Sequence, residues 1–402
     1  MPYSPFSAVK TAPPDPILGL AEQFTHDAHP GKINLTKGVY NDETGINPVL
    51  QSVKQAERRW QEEEKTKDYL AIAGDARFGE LVRELMFGAG SPLVQDGRAV
   101  TVHTPGGTGA LRVGADFLRG QFPQAGAWLS DPTWPSHTGI FTKAGFAVNT
   151  YPYLDPASHG LAFEAMLAAL EKVPDGDVVL LHACCHNPTG IDPTPEQWQR
   201  LAELFGRRPL VPFFDFAYQG FGDGLEEDAV GLRAFLDAGI PLVVSSSFSK
   251  NFGLYRERVG GLTVVTASPE EGASVFSQLK VTARILYSNP PAHGGKVVEL
   301  VLTDPELRRL WLEELAAMRG RIKEMRELFV KEARAAGVKR NFDFLLAQKG
   351  MFSYSGIPRD QVLRMRERHG IYLLESGRIN VAGLTRENIP HFCKAIAETE
   401  QG

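Results

Sequence analysis

The chain has 402 residues, 43% of them hydrophobic and 23% charged, enough to bury a sizeable core in more than one domain. A formal net charge of −5 and the absence of any Lys/Arg block argue against nucleic acid or an anionic membrane as the main partner. Three cysteines, two of them adjacent at Cys184 and Cys185, cannot build a disulfide framework; with no leader-like opening and no run near the ~20 apolar residues of a membrane span, a cytoplasmic protein is expected.

Residues 1–30 are proline-rich with scattered apolar residues (Tyr3, Phe6, Ile17, Leu18, Leu20), which suits an extended arm better than a helix. INLTKGVYNDETGINPVL (Ile33–Leu50) reads as a short strand and turn chemistry, with Gly38 where backbone approaches a ligand. A helical stretch over 53–64 leads to KDYLAIAGDARFGELVRELMFG, where Tyr69 precedes a glycine turn and an amphipathic helix. Alone, such a tyrosine reads as a packing residue. Residues 100–118, VTVHTPGGTGALRVGADFL, read as strand, glycine turn and helix. Free N–H groups and the dipole at such a helix start favour phosphate, so Gly107 and Thr108 are a candidate cradle, although the P-loop pattern is absent.

In SDPTWPSHTGIFTKAGF (Ser130–Phe146), Trp134 sits in a proline-bounded loop, a poor place for a core residue and a good one for a flat face over a cationic ring. A helix is expected over 163–173 and a buried strand over 177–185, DVVLLHACC; Thr194, Pro195 and Gln197 then form a capping box. His182, Cys184, Cys185 and His186 cluster soft ligands, but adjacent cysteines on a strand point to opposite faces, so no metal site is expected. VPFFDFAYQGF places Asp215 inside an apolar run. Such a charge needs a cationic partner, which a protonated pyridine nitrogen would supply; a hydrogen bond to nearby backbone is the alternative.

PLVVSSSFSKNFGLYRERVG (Pro241–Gly260) runs from a buried strand through a serine cluster to one lysine and the arginines beyond it. Loops at the carboxyl ends of such strands are where open α/β sheets bind ligands. A partly desolvated Lys250 beside Arg258 would present a free amine able to form a Schiff base, while Ser247 and Arg258 suit a phosphate. Together these point to pyridoxal phosphate; a solvated lysine is the alternative. Further on, the helical run from Val281 breaks at Asn289-Pro290-Pro291 and carries Arg284, by itself a surface arginine. Trp311–Gly337 shows a helical stripe (Leu312, Leu315, Ile322, Met325, Phe329) on an element that should join a large domain to a smaller one. Arg378 follows a turn glycine at the start of the strand Ile379–Val381.

SSSFSKNFGLYRERVG resembles the cofactor-lysine segment of the aspartate/aromatic aminotransferases, and HNPTG, Asp215, Tyr218, Arg284 and Arg378 extend the likeness over nearly the whole chain. The resemblance implies an α/β, fold-type I pyridoxal-phosphate transferase: a large domain with a mostly parallel seven-stranded sheet between helices, plus a smaller α/β domain. It implies a homodimer whose arm crosses to the other subunit. By the same likeness Lys250 holds the cofactor, Asp215 pairs its ring nitrogen with His182 in support, Trp134 stacks on it, and Asn187 and Tyr218 hold its phenolate oxygen. Gly107, Thr108, Ser247, Arg258 and Tyr69 from the other subunit hold the phosphate. Arg378 takes the substrate α-carboxylate and Arg284, across the dimer, a second carboxylate, with Gly38, Trp134 and Asn187 beside the substrate.

The expected organisation is an arm and part of a small domain over 1–45, a large cofactor-binding domain over 46–315 and a small domain over 316–402. With Lys250 and Arg378 on different domains, substrate would draw them together. Two carboxylate sites imply ping-pong transamination of aspartate with 2-oxoglutarate to oxaloacetate and glutamate. Val39, Thr108 and Asn289 resemble aspartate-type members, while Asn41, Asn47 and Asp68 match neither type, which leaves aromatic substrates open. Thr36 and Lys37 depart from the family's glycine and aliphatic residue before Gly38. A cofactor-independent Schiff-base lyase would have no use for Asp215, and a scaffold protein would have none for the lysine and arginines.

Overall fold

The computed structural model describes residues 4–12 and 18–400. Its centre is a seven-stranded sheet: β1 (Ala99–Pro105), β2 (Ala127–Asp131), β3 (Val148–Pro152), β4 (Val178–His182), β5 (Val211–Phe216), β6 (Leu242–Ser247) and β7 (Val259–Val265), in spatial order β1-β7-β6-β5-β4-β2-β3. β7 runs antiparallel to both its neighbours; β6, β5, β4, β2 and β3 pair in parallel. Strands β4, β6 and β7 are buried along their whole length, as sheets covered on both faces require, and their β-branched runs reflect this. The register aligns His182, Asp215 and Ser245 across three adjacent strands, near the carboxyl ends where ligands bind.

Helices pack on both faces, and two positions there admit only glycine. Gly106, which opens the helix Gly106–Gln121, has φ +76, and a Cβ on Gly260 would lie 2.5 Å from the Gly106 carbonyl carbon. That contact seats the helix start directly against β7.

The longest helix, Pro305–Ala335, is capped by Asp304, whose Oδ1 accepts from the N–H groups of Glu306 and Leu307 at 2.9 and 3.0 Å. Its buried stripe is Trp311, Leu315, Met318, Ile322, Met325 and Phe329. Leu312, expected in that stripe, is 41% exposed, because the 3.6-residue period places Trp311 rather than its neighbour on the inner face. Two small pairings join distant parts of the chain: Ile33–Asn34 runs parallel to Ile371–Tyr372, and Phe352–Tyr354 runs antiparallel to Arg378–Asn380.

The expected extended arm is corrected over part of its length. Leu18–His26 is an α-helix, since the segment beyond Pro16 is free of proline and Leu20 and Phe24 pack against Tyr372, the two rings edge to face at 5.4 Å. Phe6 is exposed; Tyr3 and Ile17 lie outside the described residues. The capping box is present in full, with Thr194 Oγ1 accepting from Gln197 N and Thr194 N donating to Gln197 Oε1. No described helix is long and apolar enough to cross a membrane.

Candidate active site

A cavity of about 240 Å³ opens at the carboxyl ends of β5 and β6. Eleven of the thirteen residues singled out from the sequence line it: Gly38, Gly107, Thr108, Trp134, Asn187, Asp215, Tyr218, Ser247, Lys250, Arg258 and Arg378. They come from seven separate stretches of chain, so the sheet order rather than sequence proximity assembles them. Tyr69 and Arg284 do not line it; Tyr69 is 88% exposed, and Arg284 lies at the end of the helix Pro269–Leu286, donating to Ser288 Oγ at 2.5 Å.

Lys250 follows β6 on a turn, its Nζ 4.7 Å from the centre of the Tyr218 ring. Burial lowers its pKa to about 8 and the Arg258 charge pushes the same way, while Asp215 opposes them. About a tenth of the amine is therefore free at pH 7 and about half near pH 8, far more than for a solvated lysine, as a carbonyl-attacking nitrogen requires.

Asp215, on β5, is 7% exposed. Burial acts to protonate it, but the hydrogen bond from His137, with the nearby Lys250 ammonium, outweighs that and holds the carboxyl below its ordinary value. Tyr218, three residues on, has its phenol pushed up by burial and then by the Asp215 charge, so it remains a neutral donor.

The anion-binding end is built from backbone. A Cβ at Gly106 would meet Arg258 Nη2 at 2.5 Å and one at Gly107 would meet Ser247 Cβ at 3.0 Å, so the two glycines let guanidinium, hydroxyl and helix start pack closely together. Ser245 Oγ donates to Gly107 O at 3.1 Å and Arg258 Nη1 to Tyr255 O at 3.0 Å, fixing both sides of the cradle.

At the opposite end Arg378 lies 2% exposed, one nitrogen donating to Thr36 O at 2.6 Å and another reaching Asn187 Oδ1 at 3.5 Å, with its plane 4.3 Å from the Phe352 ring centre. Its buried Nε has no partner. Burial lowers its pKa to about 10, still far above neutrality, so it is a cation with donor capacity to spare.

The family described as aminotransferase class I and II matches residues 30–396. The chain belongs to that family. Among relatives, the aspartate aminotransferase of Salmonella typhi is 54% identical over 391 residues, 97% of this chain and 99% of the relative. The aromatic-amino-acid aminotransferase of Pseudomonas aeruginosa is 49% identical, covering 98% and 99%. Among solved structures, an aromatic-amino-acid aminotransferase from Burkholderia pseudomallei, covalently bound to pyridoxal phosphate, superposes with a TM-score of 0.97 at 50% identity, covering 99% of this chain and 100% of that one.

Within this aminotransferase the histidine beside Asp215 is His137, a correction to the expectation of His182. His137 Nε2 lies 3.1 Å from Asp215 Oδ2 and its Nδ1 lies 2.8 Å from Thr133 Oγ1. A ring donating to the carboxylate from Nε2 accepts from the Thr133 hydroxyl at Nδ1, so both nitrogens are satisfied in one tautomer. His182 is in register with Asp215, yet neither ring nitrogen has a hydrogen-bond partner, and burial lowers its pKa to about 3. It packs as a neutral ring 5.1 Å from that of His137.

The four-residue cluster weighed as a metal site is divided. The ligating atoms that come within 4.8 Å of one another belong to His137, His182 and Asp215 on one side and to Cys184, Cys185 and Asp228 on the other. The premise about strand faces is also corrected: β4 ends at His182, and Cys185 has φ +51. Burial pushes the Cys185 thiol up to about 12 and raises that of Cys184 as well. Tyr255, Phe352 and Ser249 also line the cavity and had no signal in the sequence beyond ordinary loop and strand chemistry.

Proposed function

We propose that the chain catalyses ping-pong transamination of aspartate with 2-oxoglutarate, giving oxaloacetate and glutamate, with pyridoxal phosphate as cofactor. The observation that carries this reading is one cavity holding a lysine whose pKa lies near 8, a buried ionised carboxylate, a glycine-lined anion cradle and a buried arginine with an unused donor. The residues fit the cofactor group by group. Gly107, Thr108, Ser247 and Arg258 would hold its phosphate, Asp215 its ring nitrogen, Asn187 and Tyr218 its phenolate oxygen, and Trp134 one ring face. When bound, the cofactor supplies an electron-poor ring that stabilises negative charge at the substrate α-carbon.

The chain's own groups supply binding and proton movement. Asp215, kept ionised by its hydrogen bond from His137, would pair with the cofactor's ring nitrogen and favour its protonated form. Lys250 Nζ is the base that takes the proton from the substrate α-carbon, and its lowered pKa leaves it free to accept one. Arg378 fixes the α-carboxylate, so the bond to be broken is presented in one orientation.

Homodimerisation belongs to the same reading. Tyr69 at 88% exposure and Ile285 at 78%, one residue beyond Arg284, are large side chains that a second copy would cover. That copy would contribute Tyr69 to the phosphate and Arg284 to the second substrate carboxylate. A large cofactor domain over 46–315, with an arm and part of the small domain over 1–45 and the rest of the small domain over 316–402, and a cytoplasmic location complete the proposal. Overlapping activity on aromatic amino acids is the second reading, supported by the 49% and 50% identities to aromatic-amino-acid aminotransferases.

The deciding experiment is an absorbance spectrum over roughly 300–450 nm, the range of the bound cofactor, with and without aspartate, on the wild type and Lys250→Ala. A band that shifts to shorter wavelength with aspartate, catalytically only when Lys250 is present, is expected. A protein that binds no chromophore after incubation with pyridoxal phosphate would overturn the reading; a band answering to phenylalanine alone would favour the second.

A further inference from the structure

Three cations line the cavity, Lys250, Arg258 and Arg378, against the single carboxylate of Asp215. On the function proposed above, on which this inference rests, Arg258 is committed to the phosphate, Arg378 to the α-carboxylate and Lys250 to the proton. The second carboxylate of aspartate is then left without a lining cation from its own protomer.

The segment just before Gly38 offers one. Its backbone is held at four points: Thr36 O accepts from Arg378, Lys37 O and Val39 O both accept from Asn380 Nδ2 at 2.6 and 2.8 Å, and Thr36 N donates to Asn34 Oδ1 at 2.9 Å. The Thr36 hydroxyl donates to the same Asn34 oxygen at 2.7 Å, so that residue is accounted for by the turn it closes. Lys37 is not. It is exposed, and among the described residues its ammonium has neither an ion-pair nor a hydrogen-bond partner. The loop is thus fastened to the strand that carries Arg378 and places a free cation on a flexible four-carbon stem next to the cavity-lining Gly38. Among the described residues no group gives that charge a structural task.

We propose that Lys37 is a specificity-determining residue, its ammonium pairing with the distal carboxylate of dicarboxylic substrates at the cavity mouth and favouring them over aromatic ones. An unpaired cation beside an anion-binding cleft raises the local concentration of dianions, and the pair strengthens as water leaves the closing site.

The test uses holoenzyme: wild type, Lys37→Met and Lys37→Arg, with kcat and KM for aspartate and phenylalanine and, by calorimetry, Kd for succinate as a dicarboxylate that cannot react. Lys37→Met is expected to raise the aspartate KM and the succinate Kd by about five- to tenfold, the range between an exposed ion pair and a charge-assisted hydrogen bond. Aspartate kcat and the phenylalanine constants stay as they are, and Lys37→Arg restores the wild-type values. The gap between wild type and Lys37→Met closes at roughly 1 M salt, where the screening length is a few ångströms. Equal losses on aspartate and phenylalanine, or no change in either aspartate KM or succinate Kd, would overturn the proposal. A wild type that neither transaminates aspartate nor binds succinate would instead remove the functional reading, and this inference with it.

Discussion

Asp215 carries its negative charge where water is excluded, and His137, Thr133 and Lys250 are arranged so that it does not protonate. The same carboxylate acts on Lys250, raising the pKa that burial and Arg258 lower, so the two groups set one another's charge. A prediction follows for the cofactor-free protein and pyridoxal, which lacks the phosphate and so reports on the amine alone. Only the neutral amine attacks, and it accumulates as pH rises through the folded-state pKa. The rate of adduct formation should therefore climb with a midpoint near 8, well below the ~10.4 of a solvated lysine. Asp215→Asn removes the charge that favours the ammonium, so its midpoint should move lower still. A midpoint that stays put in that variant, followed by stopped-flow absorbance, would show that the two groups are not coupled.

The loop bearing Lys250 is held from below by the long helix. Trp311, fully buried, stacks on Phe252 with ring centres 4.5 Å apart and donates from Nε1 to Asn251 O at 2.8 Å, one residue past the lysine. Trp311→Phe keeps an aromatic ring and leaves that buried carbonyl without its donor, which should cost about 1–3 kcal/mol in denaturant unfolding. An unchanged unfolding midpoint would mean that the helix supports the loop by stacking alone. This bolt illustrates what could be read from the chain and what could not. The helix was legible from its apolar period, and Lys250 and Asp215 from charged residues at the ends of apolar runs, because both signals are local. His137 was not legible: it sits two residues past Pro135 on an unremarkable helix turn, and its partner lies 78 residues away. That pairing exists only because β2 and β5 lie on opposite sides of β4, an ordering that no local pattern encodes. His182 misled for the complementary reason, since register puts it beside Asp215 while its ring nitrogens contact no acceptor. The extent of β4 was overread as well, because an apolar run does not record where hydrogen-bonded pairing stops.

At the scale of the whole molecule, two residues proposed for the site, Tyr69 and Arg284, lie outside the cavity of their own chain. If the site is completed by a second copy, Lys250 and Arg284 acting on one substrate come from different protomers, and complementation distinguishes this from action within one chain. Lys250→Ala alone should be inactive, and Arg284→Ala should be poor on aspartate, because a buried or interfacial bidentate arginine–carboxylate contact is worth about 1.5–3 kcal/mol, roughly tenfold to a hundredfold in kcat/KM. Mixing the two after reversible subunit separation gives mixed dimers in about half of all pairings. Each mixed dimer has one site in which Lys250 of one protomer meets Arg284 of the other, and a second site lacking both. Activity on aspartate should then recover to about one quarter of the wild-type value per chain, half the dimers with half their sites intact. If Arg284 served its own chain's lysine, the mixed dimer would hold one site without Lys250 and one without Arg284. No recovery above the Arg284→Ala level would be seen, and the proposed sharing of the site would be wrong even with the chemistry intact.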